Sequence, residues 1–181
     1  MQQFQSTQNK EEFRRFCKLK RQNLFKSGVL DTISKKAIEK IKDCKEFQNA
    51  HHIMTYYPLL SEINLNKLLD EDKNFYLPRC NKNNIEVCPY KLGDKLVKSD
   101  FGVLEPISNA IDPKILDLVI TPCIAADENG YRIGYGKGFY DKFFKKNDIM
   151  ATKIVVVPKE LYFKQGPRNE NDIKCNFVIY L

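Results

Sequence analysis

Four of the chain's eight glycines fall in one short segment, Gly130-Tyr131-Arg132-Ile133-Gly134-Tyr135-Gly136-Lys137-Gly138, which runs directly into Phe139-Tyr140-Asp141. Glycine loses more backbone freedom on folding than any other residue, so such crowding points to a chain that turns sharply or lets a ligand come close. Arg132 and Lys137 lie inside the segment, and an amphipathic helix is predicted to follow it. A glycine loop entering a helix N-terminus, with two cations in it, suits a polyphosphate: backbone N–H groups and the helix dipole point at the anion, and the side chains add full charges. The spacing does not fit the dinucleotide-binding fingerprint or a P-loop, and an ordinary tight loop remains the plain alternative.

Other residues gain meaning beside that loop. Asp141 falls in the first turn of the following helix, where a carboxylate would repel phosphate unless a cation came between them. Magnesium, which takes carboxylate, phosphate and water oxygens together, is the natural bridge; helix capping is the alternative. Lys10 and Arg14 are one helical turn apart and share a face that could hold an anion, or could simply be part of a solvated basic surface with Lys18, Lys20 and Arg21. Tyr57 closes a predicted strand and Glu62 follows it, where a carboxylate among aromatics could bind a flat heterocycle bearing N–H donors, or cap a helix. His51 and His52 are the only histidines, and no Ser-His-Asp or Cys-His set is in view, so positioning and electrostatics are the expected means of catalysis.

The elements that would hold these residues follow from periodicity. Apolar Phe13, Phe16, Cys17, Leu24 and Phe25 recur at helical spacing over residues 10–26, and Gly28 stops that helix. A second helix starts at Asp31-Thr32 and keeps one apolar face as far as Phe47. Strands are expected over 52–57, 74–77, 85–88, 116–121, 153–157 and 177–181, the first two ended by Pro58 and Pro78. Short helices are expected over 63–69 and 139–146. This alternation predicts an α/β fold with a largely parallel sheet, in which ligands bind beyond the carboxyl ends of strands.

The whole chain sets further bounds. Its 181 residues suit a single domain, 1–181, with 1–9 as a flexible N-terminal tail. No apolar run approaches the roughly 18 residues of a membrane span, and the polar N-terminus lacks the core of a signal peptide, so a cytoplasmic protein without membrane contact is expected. The six cysteines are scattered without metal-ligand spacing and are expected to be reduced. The net charge of +7 fits an anionic partner. Many of the lysines fall on predicted helix surfaces, which favours a small anion over nucleic acid.

Together these residues resemble the 5-formyltetrahydrofolate cyclo-ligase family, also called 5,10-methenyltetrahydrofolate synthetases. The resemblance centres on Asp117-Leu118-Val119-Ile120-Thr121-Pro122 and on the string from Asp127 to Asp141. It extends through Lys10 with Arg14, Tyr57 to Glu62, Pro78-Arg79, Gly102 with Glu105-Pro106, and Pro167 to Asp172. It implies a three-layer α/β/α domain that uses ATP to close 5-formyltetrahydrofolate to 5,10-methenyltetrahydrofolate, acting as a monomer with ATP as co-substrate and Mg2+. It implies that Lys10, Arg14, Arg132, Ile133, Gly134, Tyr135, Gly136, Lys137, Gly138, Phe139 and Tyr140 bind ATP, with Arg132 and Lys137 catalytic. Tyr57, Glu62 and Phe101 would line the folate pocket, Tyr135 to Phe139 (with Gly136, Lys137 and Gly138) would lie between the two substrates, and Asp141 and Asp172 would hold the metal. Three departures stand out: Lys159-Glu160-Leu161 where Phe-x-x-Gln is common, Asn176 where an acid is common, and Phe101 where tryptophan is common. An RNA-holding module and a folate buffer that does not turn over are the competing readings. Acids such as Asp141 and Asp172 are unhelpful on an RNA surface, and ADP release would exclude a buffer.

Overall fold

Residues 9–181 are described by the computed structural model. Residues 1–8 of the expected tail lie outside them, and Asn9, the last tail residue, is the cap of the first helix: its side chain accepts the Glu11 N–H at 3.0 Å. Helix α1 (Lys10–Lys26) has Glu11 and Glu12 in its first turn, where they complement the helix dipole, and it ends before Gly28 in the left-handed conformation. Helix α2 (Val29–Asp43) begins directly after that glycine, two residues before the expected start at Asp31. The apolar face expected to run to Phe47 is divided at Cys44, whose extended backbone (ψ 140°) separates α2 from α3 (Lys45–Asn49).

The central sheet is built from β1 (His52–Met54), β2 (Asn74–Asn81), β3 (Asn84–Pro89), β6 (Leu118–Thr121), β9 (Thr152–Val157) and β11 (Phe177–Tyr180), in the order β11-β9-β6-β1-β2-β3. Every neighbouring pair is parallel except the β2–β3 hairpin. Strand β6 lies inside the sheet and is buried along its whole length, as its apolar run predicts.

Side chains alternate across the sheet and separate two layers of helix. Ile53, Phe75, Leu118, Ile120, Ile154 and Val156 face α2, against Ile33, Ala37 and Ile41. On the other face Met54, Tyr76 and Val119 meet Phe143 and Phe144 of helix α4 (Phe139–Asn147), while Val155 and Val157 share a core with Phe13 and Cys17 of α1. The result is the expected three-layer α/β/α fold.

Three local expectations change. The first strand ends at Met54, well short of Tyr57. Pro78 does not end β2, which continues to Asn81. Tyr76 accepts the Thr55 N–H through its carbonyl, so Pro78, two residues on, turns its N–H-less nitrogen to the same side, where β1 has already ended. The helix expected over 63–69 is a 3-10 turn at Asn66–Asp70, with Ile63 and Leu65 buried ahead of it.

Two smaller sheets flank the cavity described below. The hairpin β4 (Leu96–Lys98) and β5 (Leu104–Pro106) forms one, and β7 (Ala125–Asp127), β8 (Arg132–Ile133) and β10 (Tyr162–Phe163) form the other. Asp127 fixes the β7–β8 turn by accepting the N–H groups of Asn129, Tyr131 and Gly166, each at 3.0 Å. No helix among the described residues is long and apolar enough to cross a membrane.

Candidate active site

A cavity of about 740 Å³ opens beyond the carboxyl ends of β1 and β6, lined by Tyr56 and Tyr57 after β1 and Pro122 after β6. This is where a parallel α/β sheet offers a crevice. The glycine loop and the start of α4 form one wall with Lys10 and Arg14 of α1, and the C-terminal half of β2 and the β4–β5 hairpin form the opposite one.

The first wall is basic. At φ 104° Gly136 has a conformation that L side chains rarely adopt, and a Cβ there would meet Arg14 Cζ at 3.5 Å. Arg14 Nε donates to the Gly134 carbonyl at 3.0 Å, which ties the loop to α1. Gly138 caps α4 without a side chain, so no side-chain oxygen competes for the first N–H groups of that helix. Lys137 is exposed and makes no ion pair among the described residues.

Both acids expected to hold metal are on this wall and are paired with cations. Lys10 Nζ donates to both Asp172 oxygens, at 2.7 and 2.5 Å, and Asp172 also accepts the Asn169 N–H at 2.7 Å. Arg132 Nη2 donates to Asp141 Oδ1 at 2.9 Å, and its Nη1 donates to the Ile173 carbonyl at 3.0 Å. The Ile173 N–H donates to the same Asp141 oxygen at 3.0 Å, so the residue after Asp172 is bound directly to Asp141. Two carboxylates lining one cavity are a set that magnesium can use, since it commonly takes one or two carboxylates and completes its shell with phosphate and water. Among the described residues no group of three or more His, Cys, Asp or Glu could hold a metal, so a closed all-protein site is not offered.

The opposite side is aromatic and carries Glu62. Phe101 packs edge-on against Phe139 of α4 with ring centroids 5.4 Å apart, which closes the cavity between its two walls. Glu62 is 6% exposed; its Oε2 accepts the Leu59 N–H at 2.8 Å and its Oε1 accepts the Tyr135 hydroxyl at 2.7 Å. Tyr135 thus joins the glycine loop to the Glu62 side. Burial, reinforced by the Glu62 charge, pushes the Tyr135 hydroxyl far up, so it stays a donor. Burial also pushes the Cys80 and Cys123 thiols up to about 12, which leaves no thiolate nucleophile there at neutral pH. All six cysteines are free.

The cavity therefore gathers Lys10, Arg14, Tyr57, Glu62, Phe101, Arg132, Gly134 to Asp141 and Asp172. Ile133 alone of the expected set is elsewhere: its side chain lies in the core beneath α1, 2% exposed. Sequence reasoning missed two buried charges. Arg21 enters the sequence reading only as a neighbour in the solvated-surface alternative for α1, although it stands four residues from Cys17 and seven from Arg14 and so falls on the inward stripe. Glu105 carries no local chemical signal; it lines the cavity and accepts the Cys80 N–H at 3.2 Å.

The 5-formyltetrahydrofolate cyclo-ligase family model matches residues 6–181. The chain belongs to that family. It is therefore an enzyme of the ligase class. A probable 5-formyltetrahydrofolate cyclo-ligase of Caenorhabditis elegans is 27% identical over 166 residues, covering 78% of each chain. The Haemophilus influenzae 5-formyltetrahydrofolate cyclo-ligase is 31% identical over 107 residues, 54% of this chain and 57% of that one. The structure of Aquifex aeolicus 5,10-methenyltetrahydrofolate synthetase superposes with a TM-score of 0.83 at 29% identity, covering 94% of this chain and 89% of that chain. A synthetase from Mycoplasma pneumoniae shares the fold with a TM-score of 0.72 at 18% identity, over 95% and 98% of the two chains.

Proposed function

We propose that this cyclo-ligase family member converts 5-formyltetrahydrofolate to 5,10-methenyltetrahydrofolate, consuming ATP with magnesium and releasing ADP and phosphate. The observation that carries the reading is the single cavity in which a basic glycine-loop wall and the Glu62 side are joined by one Tyr135–Glu62 hydrogen bond. Phosphates belong on the first wall, with Lys10, Arg14 and the loop, and the folate heterocycle belongs beside Tyr57, Glu62 and Phe101.

In this reading the formyl oxygen donates an electron pair to the γ-phosphorus, and the bond from that phosphorus to the ADP oxygen breaks. Arg132 and Lys137 are placed to meet the charge spread over the transferring group. N10 then attacks the activated formyl carbon. The former formyl oxygen leaves as part of phosphate, and the N10 proton passes to water. Asp141 and Asp172 would hold magnesium, which would neutralise phosphate charge when bound. No side-chain nucleophile is needed, in keeping with neutral thiols at Cys80 and Cys123. The free cysteines are in keeping with a protein that works in the cytoplasm.

The test is to mix the protein with 5-formyltetrahydrofolate, ATP and magnesium chloride and to follow methenyltetrahydrofolate absorbance and ADP. Product and ADP should form in equal amounts and only when all three are present. Folded protein that yields no product, or product without ADP, would contradict the reading.

A further inference from the structure

Arg21 carries a buried charge that the reaction above does not use. It is 6% exposed on the inward stripe of α1 and does not line the cavity. Its guanidinium holds three distant segments together. Nε donates to the Ser61 carbonyl at 2.9 Å, and Nη1 donates to the Cys123 carbonyl at 2.6 Å and to the Tyr135 hydroxyl at 3.1 Å. Nη2 lies 3.8 Å from Glu62 Oε1. Ser61 and Glu62 follow β1, Cys123 follows β6, and Tyr135 belongs to the glycine loop, so one side chain ties these three segments together beside Glu62.

A carboxylate this buried needs a countercharge. The titratable groups facing Glu62 are Tyr56, Cys123, Tyr135 and Tyr140, and burial pushes all four up, so they stay neutral. Arg132 is engaged by Asp141. Among the described residues Arg21 is the cation within ion-pairing distance of Glu62, and its planar fork suits several acceptors at once in a way that lysine does not match.

We propose that Arg21 is a positioning residue for the folate side of the reaction: it holds Glu62 aimed, and fixes Tyr135 beside it, without touching either substrate. This rests on the reading of Glu62 as the acceptor for folate N–H groups. A residue that only stabilised the fold would affect both substrates alike.

The experiment is steady-state kinetics on wild type, Arg21→Met, Arg21→Lys and Glu62→Gln, with both substrates varied. Arg21→Met should raise the folate KM on the order of tenfold, through the misplaced carboxylate acceptor, and leave the ATP KM within about twofold. Arg21→Lys keeps the charge without the planar fork and should show an intermediate folate KM; it also serves if the Met variant does not fold. Glu62→Gln should raise the folate KM. A parallel rise of both KM values in either Arg21 variant would overturn the role given to Arg21. An unchanged folate KM in Glu62→Gln would instead overturn the folate reading beneath it.

Discussion

The two sides of the cavity hold charge in opposite ways. On the glycine-loop wall each acid is matched by a cation that also faces the cavity: Asp172 by Lys10 and Asp141 by Arg132. Beside the opposite wall, Glu62 is fixed from behind by Arg21, the Leu59 N–H and the Tyr135 hydroxyl. On the proposed reading the first arrangement would be exchangeable: phosphate oxygens would take over Lys10 and Arg132, and Asp141 and Asp172 would be left to hold magnesium. The second does not exchange. On that reading, the wall that would handle phosphate charge rests on pairs that could be swapped, whereas the wall that would read the heterocycle rests on a fixed array.

The largest expected effects come from breaking the cationic wall. Lys137→Ala should lower kcat by roughly a hundred- to a thousandfold, the usual cost of one group aimed at transition-state charge, and leave the melting temperature unchanged because Lys137 is exposed and unpaired. Arg132→Ala should lose comparable activity and also about 3 kcal/mol of stability in urea denaturation, since it strips a buried partner from Asp141 and the Ile173 carbonyl. Equal stability losses in the two variants would mean that the wall is held together differently.

Asp141→Asn comes next. It should raise the magnesium concentration needed for half-maximal rate by about tenfold while the folate KM stays put, because one of two ligating carboxylates is lost. A change in folate KM with no change in magnesium demand would place Asp141 on the wrong side of the comparison. Phe101→Ala should do the reverse. It removes the edge-on contact with Phe139, worth about 1 kcal/mol, and should raise the folate KM roughly fivefold at constant ATP KM. The smallest effect concerns Cys80, which lines the folate side with its thiol pushed up to about 12. Alkylation of native protein at neutral pH, followed by mass spectrometry, should be far slower there than in urea; rapid labelling would show that this wall opens.

The elements that carry the basic wall were the most legible in the sequence. Helix α1 spans the expected 10–26, because Phe13 and Cys17 keep helical spacing up to the stop at Gly28. Helix α4 follows the glycine loop within a residue of expectation for the same reason. What failed depends on neighbours that local pattern does not contain. Pro78 reads as a strand end, yet the partner that would have needed its N–H stops first. The strands β7, β8 and β10 are too short to leave a periodic signal. Arg21 looks like one more surface cation among Lys18 and Lys20 until Ser61, Cys123 and Tyr135 arrive from far along the chain. The cationic wall was therefore read almost whole, and the support behind Glu62 was not.

The claim that joins the two sides is that the folate formyl oxygen meets the γ-phosphate across the glycine loop. It can be followed by labelling that oxygen with 18O in 5-formyltetrahydrofolate and analysing the phosphate released during a single turnover. The expected result is one 18O atom in each phosphate and none in ADP. Unlabelled phosphate, with the label lost to water, would contradict the account.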